Sequence, residues 1–161
     1  MTTTFLGIPV EGEITRGDKR AEQRPLAEFA PLMQAVLDDP LIEEFGWHQY
    51  TPYFNDGDPC VFSAYGAWVH TAEKTDSDID DEEQQLDYHP VIGIKRWDEK
   101  SRSYARVKQT PEHSAAYNRV KELSDAIEGG HFDDVLLDAF GDHAMVIVKK
   151  DSITVEFYEH D

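Results

Sequence analysis

The stretch from Trp47 to Trp68, WHQYTPYFNDGDPCVFSAYGAW, decides the fold of this chain. It carries seven of the 18 aromatic residues (three Trp, seven Tyr and eight Phe) in 22 positions, with two prolines and the one cysteine, Cys60. A ring of this kind buries about 150–250 Å², so seven together must build a core, a binding face, or both. WHQYTPYF and CVFSAYGAW flank Asn55-Asp56-Gly57-Asp58-Pro59. Extended chain, turn, extended chain predicts a β-hairpin over 47–68 with a five-residue loop. Pro52 places its first arm at an edge or a bulge. Aromatic residues are routine in strand cores, which is the ordinary use of these rings. The alternative keeps Tyr50, Tyr53, Phe54 and Trp68 partly exposed as a contact patch, with Asp56 and Asp58 in a rigid loop that presents them.

Outward from this segment the pattern alternates between helix and strand. Leu26, Phe29, Ala30, Met33, Val36 and Leu37 recur at helical spacing, and predict helix over 26–45, interrupted near Pro31 and restarted after Asp39-Pro40. Phe5, Ile8 and Val10 can join a sheet, with Pro9 restricting them to an edge. Val91–Ile94 and Arg102–Val107 predict a second hairpin over 91–107. Thr110, Pro111 and Glu112 are N-terminal signals for a helix over 111–128, whose apolar face is Ala116, Val120, Leu123 and Ile127. A short helix over 132–140 ends at Gly141. The third hairpin, 143–159, pairs the apolar run Ala144–Val148 with a strand in which Ile153, Val155 and Phe157 alternate with Thr154, Glu156 and Tyr158, the pattern of a strand buried on one face. Hairpins outnumber crossovers, which predicts an α+β domain: a mostly antiparallel sheet with the helices packed on one face. Its 161 residues with 40% apolar content fit one domain spanning 1–161.

The formal net charge is −18. This field opposes generic contact with nucleic acid and with anionic membranes, and favours cationic partners. A single cysteine suits a reducing cytoplasm, the N-terminal residues lack the marks of a secretory signal, and no apolar run is long enough to span a bilayer. The expectation is a soluble cytoplasmic protein.

The acids are concentrated. Residues 73–87 hold eight acids against one lysine and predict an exposed acidic loop. Asp76, Asp78, Asp80 and Asp87 occupy the first, third, fifth and twelfth positions of a calcium loop, but Asp81 stands where that loop needs glycine and Glu83 where it needs an apolar residue. The segment, with Glu82 as well, therefore reads as a solvated or partner-binding strip, and no metal or cofactor is assigned. Glu122 to Asp142 contains seven acids and no Lys or Arg, with Asp134 and Asp138 forming a ridge at i, i+4 spacing. Such an array can imitate the charge of duplex DNA toward a DNA-binding protein. Against this, residues 95–108 hold six bases and two acids, interleaved with Trp97 and Tyr104. Bases and rings in this order can hold phosphates and stacked bases, although pairing with internal acids is the ordinary use. His131-x-x-Asp134, Asp142-His143 and His160-Asp161 raise an Asp/His metal-dependent hydrolase as an alternative, but none has the spacing of a zinc or nucleophile motif.

The string from Trp47 to Cys60, with its core Gln49-Tyr50-Thr51-Pro52-Tyr53-Phe54-Asn55-Asp56-Gly57-Asp58-Pro59-Cys60, resembles a segment of small uncharacterised proteins encoded by tailed bacteriophages. The resemblance covers under a tenth of the chain and carries over no functional residues. It implies a viral accessory protein acting in a bacterial cytoplasm. Together these readings predict a non-enzymatic acidic protein that binds a host protein through the hairpin tip, the acidic loop and the acidic ridge. An unpaired edge near Pro52 or in the C-terminal hairpin would support a homodimer.

Overall fold

The computed structural model describes residues 3–12, 21–53, 57, 60–73 and 85–160. Its centre is an antiparallel four-stranded sheet of order β4-β3-β7-β8, formed by β3 (Ile42–Tyr50), β4 (Ser63–Thr71), β7 (Ala144–Lys149) and β8 (Ile153–Phe157). Helices α1 (Leu26–Leu37), α2 (Pro111–Glu128) and α3 (Asp133–Phe140) pack on one face of it. Two small antiparallel ribbons, β1 (Thr3–Phe5) with β2 (Ile8–Val10) and β5 (Lys95–Asp98) with β6 (Ser103–Arg106), and one 3-10 turn at Leu86–Tyr88 complete the described elements. The α+β architecture expected from the patterning is present.

The core follows the pleat. Phe45 and Trp47 on β3, Val69 on β4, and Ala144, Val146 and Val148 on β7 meet Phe29, Val36, Val120, Leu123, Ile127 and Leu136 from the helices. Gln49 lies fully buried among them, with each of its polar groups satisfied. Its Oε1 accepts from Trp47 Nε1 at 2.9 Å, and its Nε2 donates to Leu136 O at 2.9 Å and Gly141 O at 2.7 Å. One side chain thus ties the central strand to the middle of α3 and to the residue that caps its C-terminus. α2 begins as its residues dictate: the Thr110 hydroxyl accepts the His113 N–H at 3.1 Å and Pro111 fills the first turn.

Several expectations are corrected. The helix predicted over 26–45 ends at Leu37, running through Pro31, and the residues from Ile42 onward are strand. Asp39 stops the helix: its carboxylate accepts the Leu41 N–H at 2.9 Å and pairs with Arg119 at 2.6 Å. The hairpin centred on the aromatic segment is longer than its spacing suggested, with arms of 42–50 and 63–71 joined through 51–62. Pro52 therefore lies beyond the end of β3, and β3 is central, flanked by β4 and β7. Val91–Ile94 is not strand; the backbone turns around buried His89, whose Nδ1 accepts from Val91 and Ile92 N–H groups and whose Nε2 meets Val69 O at 3.1 Å. The end of the acidic segment is not an exposed loop either, since Leu86 packs on the core and Asp87 accepts the Tyr117 hydroxyl. Finally, β8 is exposed along its whole length although its alternation predicts one buried face. It is the sheet edge, and the helices stop short of covering it.

Candidate functional site

The sheet face away from the helices carries Glu44, Gly46, His48 and Tyr50 from β3. Because β3 pairs in register with β4, these stand beside Tyr65, Trp68 and His70. Gly46 allows this arrangement, since a Cβ there would overlap the Trp68 ring and the Val146 carbonyl. Trp68 is consequently packed down, 4% exposed, and presents no ring to a partner. His70 Nδ1 meets Glu44 Oε1 at 2.8 Å beside it.

Beyond Trp68 the same face gathers rings from four parts of the chain: the end of β3, the start of β4, the residue before β7 and the residues after β8. Tyr50 lies edge-on to Tyr65 at 4.7 Å between centroids. The Tyr158 ring covers His48 at 4.2 Å. His160 stacks on Tyr50 at 3.7 Å and on Tyr53 at 4.4 Å, with interplanar angles of 23° and 13°. Two near-parallel neighbours this close cannot share one side of a ring, so the imidazole sits between the two phenols. His143 lies alongside, its Nδ1 2.6 Å from His160 Nε2, and Tyr53 stacks over it as well at 4.9 Å. A contact between two imidazole nitrogens at this distance needs one proton between them.

The backbone beneath is fixed by Asp142. Its carboxylate accepts the Thr51 N–H and hydroxyl, each at 2.7 Å, and the His143 N–H at 2.8 Å. His143 itself adopts a left-handed conformation, φ 52°, which a residue with a Cβ holds only when its surroundings impose it. Burial pushes the Asp142 carboxyl up, but the hydrogen bonds from Thr51 and His143, with the nearby imidazole, outweigh it and hold it below the usual range. Burial lowers the His48 imidazole.

The outcome is a preorganised aromatic platform in which Tyr53 is the outermost ring, 62% exposed. Its neighbours are partly buried. The platform offers a π face, phenol hydroxyls and imidazole edges. No group of three or more His, Cys, Asp or Glu side chains among the described residues could hold a metal ion.

Of the residues singled out in the sequence, the structure brings together here Tyr50 and Tyr53 from the aromatic segment and Asp142, His143 and His160 from the Asp/His pairs. Asp134 and Asp138 are exposed on α3. Phe54, Asp56 and Asp58, and Asp76, Asp78, Asp80, Asp81, Glu82 and Glu83, lie outside the described residues. The sequence pattern marks His143 and His160 only within Asp/His pairs and Tyr158 only as an alternating strand residue, none of them as a contact residue. A signal for them existed in the C-terminal hairpin, because pairing Ala144 with Phe157 sets His143 opposite Tyr158. No helix of the described residues is long and apolar enough to cross a membrane. No family model, no curated protein and no solved structure matches this chain.

Proposed function

We propose that this chain is a non-enzymatic binding protein that docks on a host protein in a bacterial cytoplasm, as an accessory protein of a tailed bacteriophage would, and that the aromatic platform is its contact surface. The observation that supports this most is Tyr53, an exposed ring whose position is fixed by stacking on His143 and His160. A tyrosine already held in place loses little freedom on binding, and such rings dominate the energetics of protein interfaces. The net charge of −18 supports a basic surface on the partner and a fast, salt-sensitive encounter. The rings supply the part of the affinity that survives salt.

The test is affinity capture from bacterial lysate with the intact protein and its Tyr53→Ala variant, at low and high salt, with duplex DNA as competitor. Retention of one protein through the high-salt wash, lost in the variant, is the expected result. Capture that collapses with salt, yields to DNA and ignores Tyr53→Ala would replace this reading with DNA mimicry through the acids, Asp134 and Asp138 included.

A further inference from the structure

We infer that β8 is a self-association edge, and that two copies of this chain pair through it, antiparallel about Val155, into a continuous eight-stranded sheet. The backbone supplies the first argument. Tyr158 N–H donates to His143 O at 2.7 Å and Lys149 N–H donates to Ser152 O at 2.8 Å. Residues 152, 154, 156 and 158 therefore direct their peptide groups toward β7. In an antiparallel ladder the intervening residues direct theirs the other way. Ile153, Val155 and Phe157 thus hold N–H and C=O groups out from the sheet, and no described strand pairs with them. Edge strands are ordinarily guarded by charged side chains, lysine above all, by proline or by a bulge; Ile-Thr-Val-Glu-Phe has no lysine, proline or bulge and a single charge, Glu156.

The side chains supply the second argument. Ile153, Val155 and Phe157 stand on the helix-facing side, in register with Val148, Val146 and Ala144, yet they are 45%, 48% and 72% exposed. Beside Ile153 an apolar groove opens between α1 and α3, lined by Leu26, Met33, Leu37, Ala139 and Phe140. Pairing about Val155 sets Phe157 of each copy opposite Ile153 of the other, at the mouth of this groove. Projection and recess then meet twice across one two-fold axis, as an isologous interface requires.

Charge selects the register. A molecule of net charge −18 repels its own copy nearly everywhere, but Glu156 is the one charged residue on β8. The Val155-centred register puts it opposite Thr154. Centring on Glu156 would oppose two carboxylates, and centring on Thr154 would leave the outward groups of Phe157 without a strand partner. Only the Val155 register pairs every outward peptide group of β8 and avoids opposed acids.

Sedimentation equilibrium of the whole chain at physiological ionic strength tests this, with Val155→Lys as the edge-blocking variant and its circular dichroism as the check on folding. The expected result is a species of twice the chain mass that becomes monomeric in Val155→Lys. In a hydrogen-bonded antiparallel pair the directly opposed Cα atoms lie about 5.5 Å apart, within disulfide range. In a Cys60→Ser background, Val155→Cys should therefore cross-link to a dimer on oxidation, whereas Thr154→Cys should not. A wild-type chain that stays monomeric at all concentrations, a dimer that persists in Val155→Lys, or cross-linking that favours position 154 would each overturn the inference. None of these readouts depends on Tyr53 or on a host partner, so this inference and the proposed function can fail separately.

Discussion

Gln49 shows how much one residue can hold. Its side chain is fully buried; the amide receives the indole N–H of Trp47 and donates to the carbonyls of Leu136 within α3 and Gly141 at its C-cap. Gln49→Leu preserves the volume and orphans all three groups. Each buried orphan costs about 1–3 kcal/mol, so the variant should unfold at clearly lower denaturant concentration with an unchanged slope of unfolding free energy against denaturant. Tyr117 makes a titratable counterpart. Burial, then the hydrogen bond to Asp87, then the charges of Asp87 and Asp125, push its phenol up to about 12, against the opposing pull of Arg106. A folded value raised above the unfolded one contributes stability that is complete below about pH 10 and is lost as pH rises toward about 12. Wild-type melting temperature should fall across this alkaline window, and Tyr117→Phe should flatten that slope.

At the scale of elements, the residues after β8 are held across the open face of the sheet by rings rather than by a further strand. Two groups beneath them make this arrangement sensitive to acid. The lowered His48 imidazole contributes stability that is complete above the unfolded histidine value, about 6.5, and declines as pH falls below it. The lowered Asp142 carboxyl contributes stability present above the ordinary aspartate value and lost as pH falls through its folded one. Melting temperature should therefore drop in two successive steps on acidification. Thr51→Val removes one of the hydrogen bonds that lower Asp142, and should move the second step to higher pH while leaving the first in place. The helices behave differently. α2 carries its own start signal and apolar face and matches its predicted span. α1 is shorter than the periodicity predicts, because the apolar residues past Asp39 fit either period and Asp39 closes the helix through contacts with Leu41 and with Arg119, the latter 80 positions away.

For the whole molecule the dominant quantity is a net charge of −18. Like charges on a compact body repel, and salt screens exposed pairs over about 10 Å at 0.1 M. Melting temperature should therefore rise from very low to physiological ionic strength, measured by calorimetry at constant pH. A fall would mean that attractive pairs such as Arg119–Asp39 and Lys149–Glu44 outweigh the repulsion. The amino-acid sequence by itself determined the layered α+β class, the span of α2, the C-terminal hairpin and the acidic character. Each of these rests on a local period, a cap or a count, and such signals lie within a few neighbouring residues. Tertiary structure alone decided that β3 is central, that Trp68 is packed down against Gly46 while Tyr53 stands out, and that His143 and His160 meet. It likewise decided that the apolar side of β8 lies uncovered. Alternation shows that a strand has two unlike faces. What covers either face depends on where distant helices end, and that is fixed only when the whole chain has packed.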